Sequence, residues 1–144
     1  MTEADVLDQL KQRYRTSNSN LSFNEYIMTK KTKAIIIDPF TRSVTQTELD
    51  GSLDDIYEKI GNGCELFEMI HVDAFTDLYV DEEGLLSGHA SEGEEKFGFM
   101  LTMWNRPIWG RAIVVGRDMK GQNKSTNLSP DGVRAMLRNW VVGR

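Results

Sequence analysis

Two periods of hydrophobic spacing alternate along this chain, and each change of period marks a change of element. KAIIID at residues 33–38 and SVTQTELD at residues 43–50 flank PFTR, where Pro39 presets the φ of a turn's second position and Asp38 can bond back to the turn backbone. That pattern predicts an antiparallel hairpin, with Val44, Thr45 and Thr47 favouring extended chain. Helical spacing follows in SLDDIYEKIGNG: Ser52 is the N-cap, Asp55 stands at N3, Leu53, Ile56, Tyr57 and Ile60 form one stripe, and Gly61 or Gly63 is the stop. CELFEMIHV (64–72) and TDLYVD (76–81) predict two more strands, joined by a short DAF connection and followed by a turn at DEEG.

Further on, KFGFMLTMW (96–104) fits both periods. Phe97, Phe99, Leu101 and Met103 alternate, whereas Phe97, Met100, Leu101 and Trp104 share a helical face; Ser91 with Glu94 at capping-box spacing favours a short helix, and Gly98 opposes it. Ala112 to Val115 is apolar at every position, which predicts a strand buried on both faces in the middle of the sheet. After the polar loop MKGQNKSTNL (119–128), Ser129 and Pro130 open a helix that carries Val133, Met136, Leu137 and Trp140 inward. Near the N-terminus, Val6, Leu7, Leu10 and Tyr14 predict an amphipathic helix over residues 3–15 behind Thr2; turn residues at 16–20 and a second cap at Ser22 follow. The expected organisation is an N-terminal helical appendage, 1–32, and a single α+β domain, 33–144. Its mainly antiparallel sheet has about five strands, with a helix after the first hairpin and a C-terminal helix.

Composition adds compartment and charge. The 144 residues are 40% hydrophobic and 27% charged, ordinary values for one globular domain. The lone Cys64 has no partner for a disulfide, and it is expected to be a buried packing thiol in a protein of the reducing cytoplasm. No apolar run approaches the roughly 20 residues that span a bilayer, and the acidic start MTEADVLDQL is unlike a signal peptide, so no membrane partner is expected. The net charge of −5 conceals a division: residues 1–95 hold 20 Asp/Glu and 8 Lys/Arg, whereas residues 96–144 hold 2 and 9. Such a split suits either two faces attracting one another within a fold or a surface that a charged partner recognises.

Candidate chemistry concentrates in HVDAFTDLYVDEEG, residues 71–84, with one histidine and five carboxylates. No register from Asp73, Asp77 or Asp81 supplies the ligand set of a calcium loop. Strand alternation sends Thr76, Leu78 and Val80 one way and Asp77, Tyr79 and Asp81 the other, which predicts a wet acidic face; DEEG fits a turn whose Gly84 takes a left-handed position in a bulge. His71 and Asp73 with His89 are the candidate ligands of a metal-dependent hydrolase. In the basic half, Trp104, Arg106, Trp109 and Arg111 interleave aromatic and cationic groups, a combination that anchors protein interfaces or stacks bases. Arg106, Arg111 and Arg117 are the candidate holders of a small anion such as a nucleotide. A pI near 5.1 disfavours nucleic acid itself as a partner.

IIIDPFTRSVTQTELDG (35–51), LYVDEEGLL (78–86) and PIWGRAIVVGRD (107–118) together resemble a small family carried by phages and plasmids and known as a domain of unknown function; the resemblance spans roughly residues 33–140. It implies a mobile-element accessory protein that interferes with host machinery, and it carries over no site residues. The leading expectation is a non-enzymatic protein without cofactor that binds and modulates or inhibits a host macromolecule, a host protein being the expected partner. A small-anion binder and the metal-dependent hydrolase are the alternatives.

Overall fold

The protein is described here from a computed structural model, which covers residues 8, 9, 12, 31–85 and 95–143. Residues 8, 9 and 12 are helical and exposed, in keeping with the helix expected there. The rest of the predicted appendage, the second cap at Ser22 and the loop with His89 lie outside the described residues.

The first hairpin forms as predicted. β1 (Thr32–Asp38) pairs antiparallel with β2 (Ser43–Leu49), and the Asp38 carboxylate accepts from the backbone N–H of Phe40 at 2.9 Å within the turn. The chain then enters α1 (Leu53–Ile60), where Ser52 Oγ accepts from the N–H of Asp55 at 3.1 Å and the Asp55 carboxylate accepts from the N–H of Asp50 at 2.9 Å. Ser52 N–H donates to the Asp50 carboxylate, and these bonds to Ser52 hold the Asp50 pKa below its ordinary value. Gly61 ends the helix at φ 62°, a conformation that glycine adopts without Cβ strain.

β3 (Phe67–His71), β4 (Thr76–Asp81) and β7 (Ala112–Arg117) complete the main sheet in the order β2-β1-β7-β4-β3, with every pairing antiparallel. A two-residue strand, β8 (Asn123–Lys124), pairs with the end of β7 beyond the reach of β1. β7 is central and its Ala112–Val115 run is fully buried, as the sequence predicts. A second sheet consists of β6 (Ile108–Trp109), β5 (Lys96–Leu101) and β9 (Leu137–Gly143), in that order.

The two faces of the main sheet carry separate cores. Ala34, Tyr79, Ile113 and Val115 pack with Ile56 and Ile60 of α1; on the other face Ile35, Ile37, Leu78, Val80 and Val114 pack with Phe99, Leu101 and Ile108 of the second sheet. The layers are thus helix, sheet, sheet, and period-two alternation decides which residue faces which layer.

Several expectations are corrected by this layering. The fold is sheet-rich, with two sheets and nine strands among the described residues where about five strands are expected. Residues 96–101 form β5, not a helix: alternation prevails because Phe99 and Leu101 have a sheet to face. The predicted C-terminal helix is the five-residue α2 (Pro130–Arg134), capped at Ser129 as expected; the chain then turns into β9, so Trp140 belongs to a strand. The acids of β4 do not share a wet face, since all six residues of that strand are buried. Gly84 lies in a 3-10 turn, Glu82–Leu85, without positive φ; a Cβ there would stand 2.2 Å from the Trp109 carbonyl oxygen, so it is a close-approach glycine. The 119–128 loop contains β8, and beyond it Thr126 N–H donates to the Lys33 carbonyl at 3.0 Å.

Candidate functional site

α1 covers only part of its face of the main sheet, and past its cover the sheet carries polar groups. Asp77 on β4 is directly opposite His71 on β3, and its side chain has 0% exposure. An isolated buried carboxylate is strongly disfavoured, so its partners matter. Asp77 Oδ1 is 2.6 Å from His71 Nδ1 and also accepts from Arg117 Nη1; Oδ2 accepts from Asn123 Nδ2 at 2.9 Å. Tyr79, two residues on and therefore on the same face, donates its hydroxyl to Asn123 Oδ1 at 2.6 Å. Asn123 Nδ2 is also 3.2 Å from the Gly116 carbonyl. Every oxygen of the carboxylate is thus engaged by groups from β3, β7 and β8.

His71 has 61% side-chain exposure. Arg117 Nη1 also stands against His71 Nδ1, so guanidinium, imidazole and the Asp77 carboxylate meet at one point, and these contacts on Nδ1 turn the Nε2 edge of the ring away from the carboxylate. Arg117 also donates from Nη2 to the Asp73 carbonyl, and its backbone N–H donates to the Phe75 carbonyl at 2.8 Å. The Asp73 carboxylate accepts from the Phe75 N–H at 2.8 Å. The β3–β4 turn is therefore fastened at Asp73 and at both backbone groups of Phe75, while the Phe75 side chain stands 59% exposed. At the same end of the sheet the β7–β8 hairpin is closed by Asp118, whose carboxylate accepts from the N–H groups of Lys120 and Gln122. Met119 at its tip is 91% exposed. The result is two apolar side chains and an oriented imidazole presented on fastened backbone.

The other residues singled out in the sequence do not converge here. Asp73 is a turn cap and not a partner of His71, His89 lies outside the described residues, and no group of three or more His, Cys, Asp or Glu gathers in metal-binding proximity among the described residues. Trp104 and Arg106 lie with Met103 and Asn105 around an open hollow of about 420 Å³ on the β5–β6 connection. Trp109 lies on the second sheet. Arg111 and Arg117 flank opposite ends of β7, roughly 20 Å apart at about 3.3 Å per residue, so they cannot grip one small anion. Arg111 donates to Asp38 Oδ2 at 3.1 Å and to the Ile60 carbonyl at 3.2 Å. Cys64 packs partly buried beside α1, and burial, reinforced by the Asp81 carboxylate, pushes its thiol up to about 12. It is an unreactive thiol at neutral pH.

Sequence reasoning missed Phe75, Met119, Asn123 and the His71–Asp77 pair. The pair has a readable signal: residues 71 and 77 are equidistant from Ala74, so antiparallel pairing across a DAF turn sets them opposite. Asn123 has none, because a two-residue strand is too short to show a period.

Fold and site together define a small, mostly antiparallel sheet protein with a buried carboxylate network that fixes an exposed loop end. No described helix is long and apolar enough to cross a membrane. The chain belongs to the family described as domain of unknown function DUF3846, whose model matches residues 31–140. No curated protein and no solved structure matches the chain.

Proposed function

We propose that this is a non-enzymatic accessory protein of a mobile element, working in the cytoplasm of a host cell by binding and modulating a host protein. Docking occurs at the loop end that carries Phe75, Met119 and His71. The observation that supports this reading is Phe75, 59% exposed although its backbone is bonded on both sides. A scattered exposed apolar residue is ordinary. An aromatic on a pre-ordered turn is different, because binding energy collects on such anchors and little ordering entropy remains to be lost. The network behind it occupies the sheet face with partners for a buried charge, and those partners hold the turn beneath Phe75.

The reading is tested by recovering partners from a lysate of the source cell on the tagged chain, then measuring affinity for the recovered protein with Phe75→Ala. Loss of about 2 kcal/mol of binding, roughly thirtyfold, is expected at such an anchor, with folding stability changed by under about 0.5 kcal/mol. Unchanged affinity would remove the loop end as the docking surface.

A further inference from the structure

Remote from that end, the outer face of the second sheet holds a different arrangement around Trp109. Trp109 on β6 is opposite Gly98 on β5, which in turn is opposite Val141 on β9; Lys96 is opposite Gly143. A Cβ at Gly98 would meet the Ile108 carbonyl oxygen at 2.5 Å and Trp109 Cε3 at 2.8 Å, and one at Gly143 would meet the indole Cη2 at 2.7 Å. The indole therefore lies across β5 and reaches β9 through space that two glycines on two strands leave open. Glycine weakens a strand interior, having more conformational freedom to lose and no side chain to pack. Two neighbouring strands thus lack side chains beneath one indole, which lies flat on the sheet and turns its other face outward.

The ring is partly exposed, and Lys96 Nζ stands 5.8 Å from its centroid, so a cation already occupies the approach to the π system. The strands of this sheet contain Lys96 and Arg138 and no carboxylate; Glu95 is the acid that borders them in sequence. An aromatic surface with a lysine ammonium over its ring suits a ligand that is both flat and anionic. The geometry points to a nucleotide site in which the base stacks on Trp109 and the phosphate is met by Lys96, which leaves the ring face as the base arrives. Stacking on an indole is tolerant of base identity, and lysine meets phosphate as a point charge, so the site selects the class and not one base. It uses none of the three arginines Arg106, Arg111 and Arg117, and it stands or falls independently of docking at Phe75.

The test uses the full chain with fluorotryptophan at its three tryptophans, the Trp109 fluorine signal being assigned with Trp109→Phe. AMP, adenosine and a short thymidine oligonucleotide are titrated in turn. AMP is expected to shift the Trp109 signal and leave that of Trp140, adenosine to bind more weakly, and Lys96→Glu to weaken AMP about tenfold or more without changing the melting temperature. Tighter binding of the oligonucleotide than of AMP identifies a strand as the source of the nucleotide, and binding of AMP alone identifies the free molecule. An unmoved Trp109 signal with every probe, or a Lys96→Glu chain that titrates like the parent, overturns the proposal.

Discussion

β7 has an arginine at each end, and the two stand in opposite circumstances. Arg117 closes the strand and turns onto Asp77, a carboxylate sealed from solvent and held also by His71 and Asn123. Arg111 precedes the strand and turns onto Asp38, at a site both side chains share with water; it also meets the last carbonyl of α1 and stacks with its Cζ 4.7 Å from the Phe40 ring. Residue type, strand and ion-pair chemistry are the same. What differs is desolvation, and desolvation decides whether the fold depends on a charge or merely uses it.

The largest effect should follow from Asp77→Ala. It strands Arg117 in a mostly buried position and removes the carboxylate that orients the guanidinium towards the Asp73 carbonyl, so a loss of about 3 to 5 kcal/mol in urea denaturation is expected. Replacing both partners sharpens the point: Asp77→Leu with Arg117→Met should recover much of that loss, because an apolar pair leaves no uncompensated charge. At the other end, Arg111→Ala removes a part-exposed ion pair, a favourable cation at a helix C-terminus and a stacked guanidinium, for a total near 1 kcal/mol. Equal losses from Asp77→Ala and Arg111→Ala would erase the contrast between the ends.

The sequence was readable where a local rule and the tertiary context agree. Ser52, Asp55 and Gly61 predict α1 because capping is settled within a few residues, and Ala112–Val115 predict a central strand because a run apolar on both faces has nowhere else to go. It was unreadable where distant chain supplies the environment. Alternation places Asp77, Tyr79 and Asp81 on one face, but nothing local shows that α1 and the Arg117–Asn123 pair cover that face. Val133 to Trp140 has helical spacing, yet β5 offers a strand partner, and β9 forms after a single helical stretch of five residues. The site suffered most, since Arg117 comes from 40 residues beyond Asp77 and Asn123 from 46.

The smallest effect on the fold concerns Cys64, which lies by the Arg111 end of the sheet just beyond the helix stop, its N–H donating to the Gly61 carbonyl at 3.0 Å. One end of the protein presents an oriented imidazole, and this end masks a thiol. Burial and then the Asp81 carboxylate both disfavour the thiolate, raising its pKa from 9.0 to about 12. An acid whose folded pKa is raised keeps its proton where the unfolded chain loses it, so stability from this group is whole below pH 9.0 and declines as pH rises towards about 12. Reactivity is the more direct measure. At pH 8 the thiolate fraction is on the order of one in ten thousand in the folded chain and one in ten in the unfolded chain, so an aromatic disulfide reagent should label the native protein at least about a hundredfold more slowly than the urea-unfolded one. Asp81→Asn should speed native labelling only modestly, because burial is the larger cause and remains. Fast labelling of the native chain at pH 8 would show that the Arg111 end is open to solvent, and the difference between the two ends would then be one of partners and not of burial.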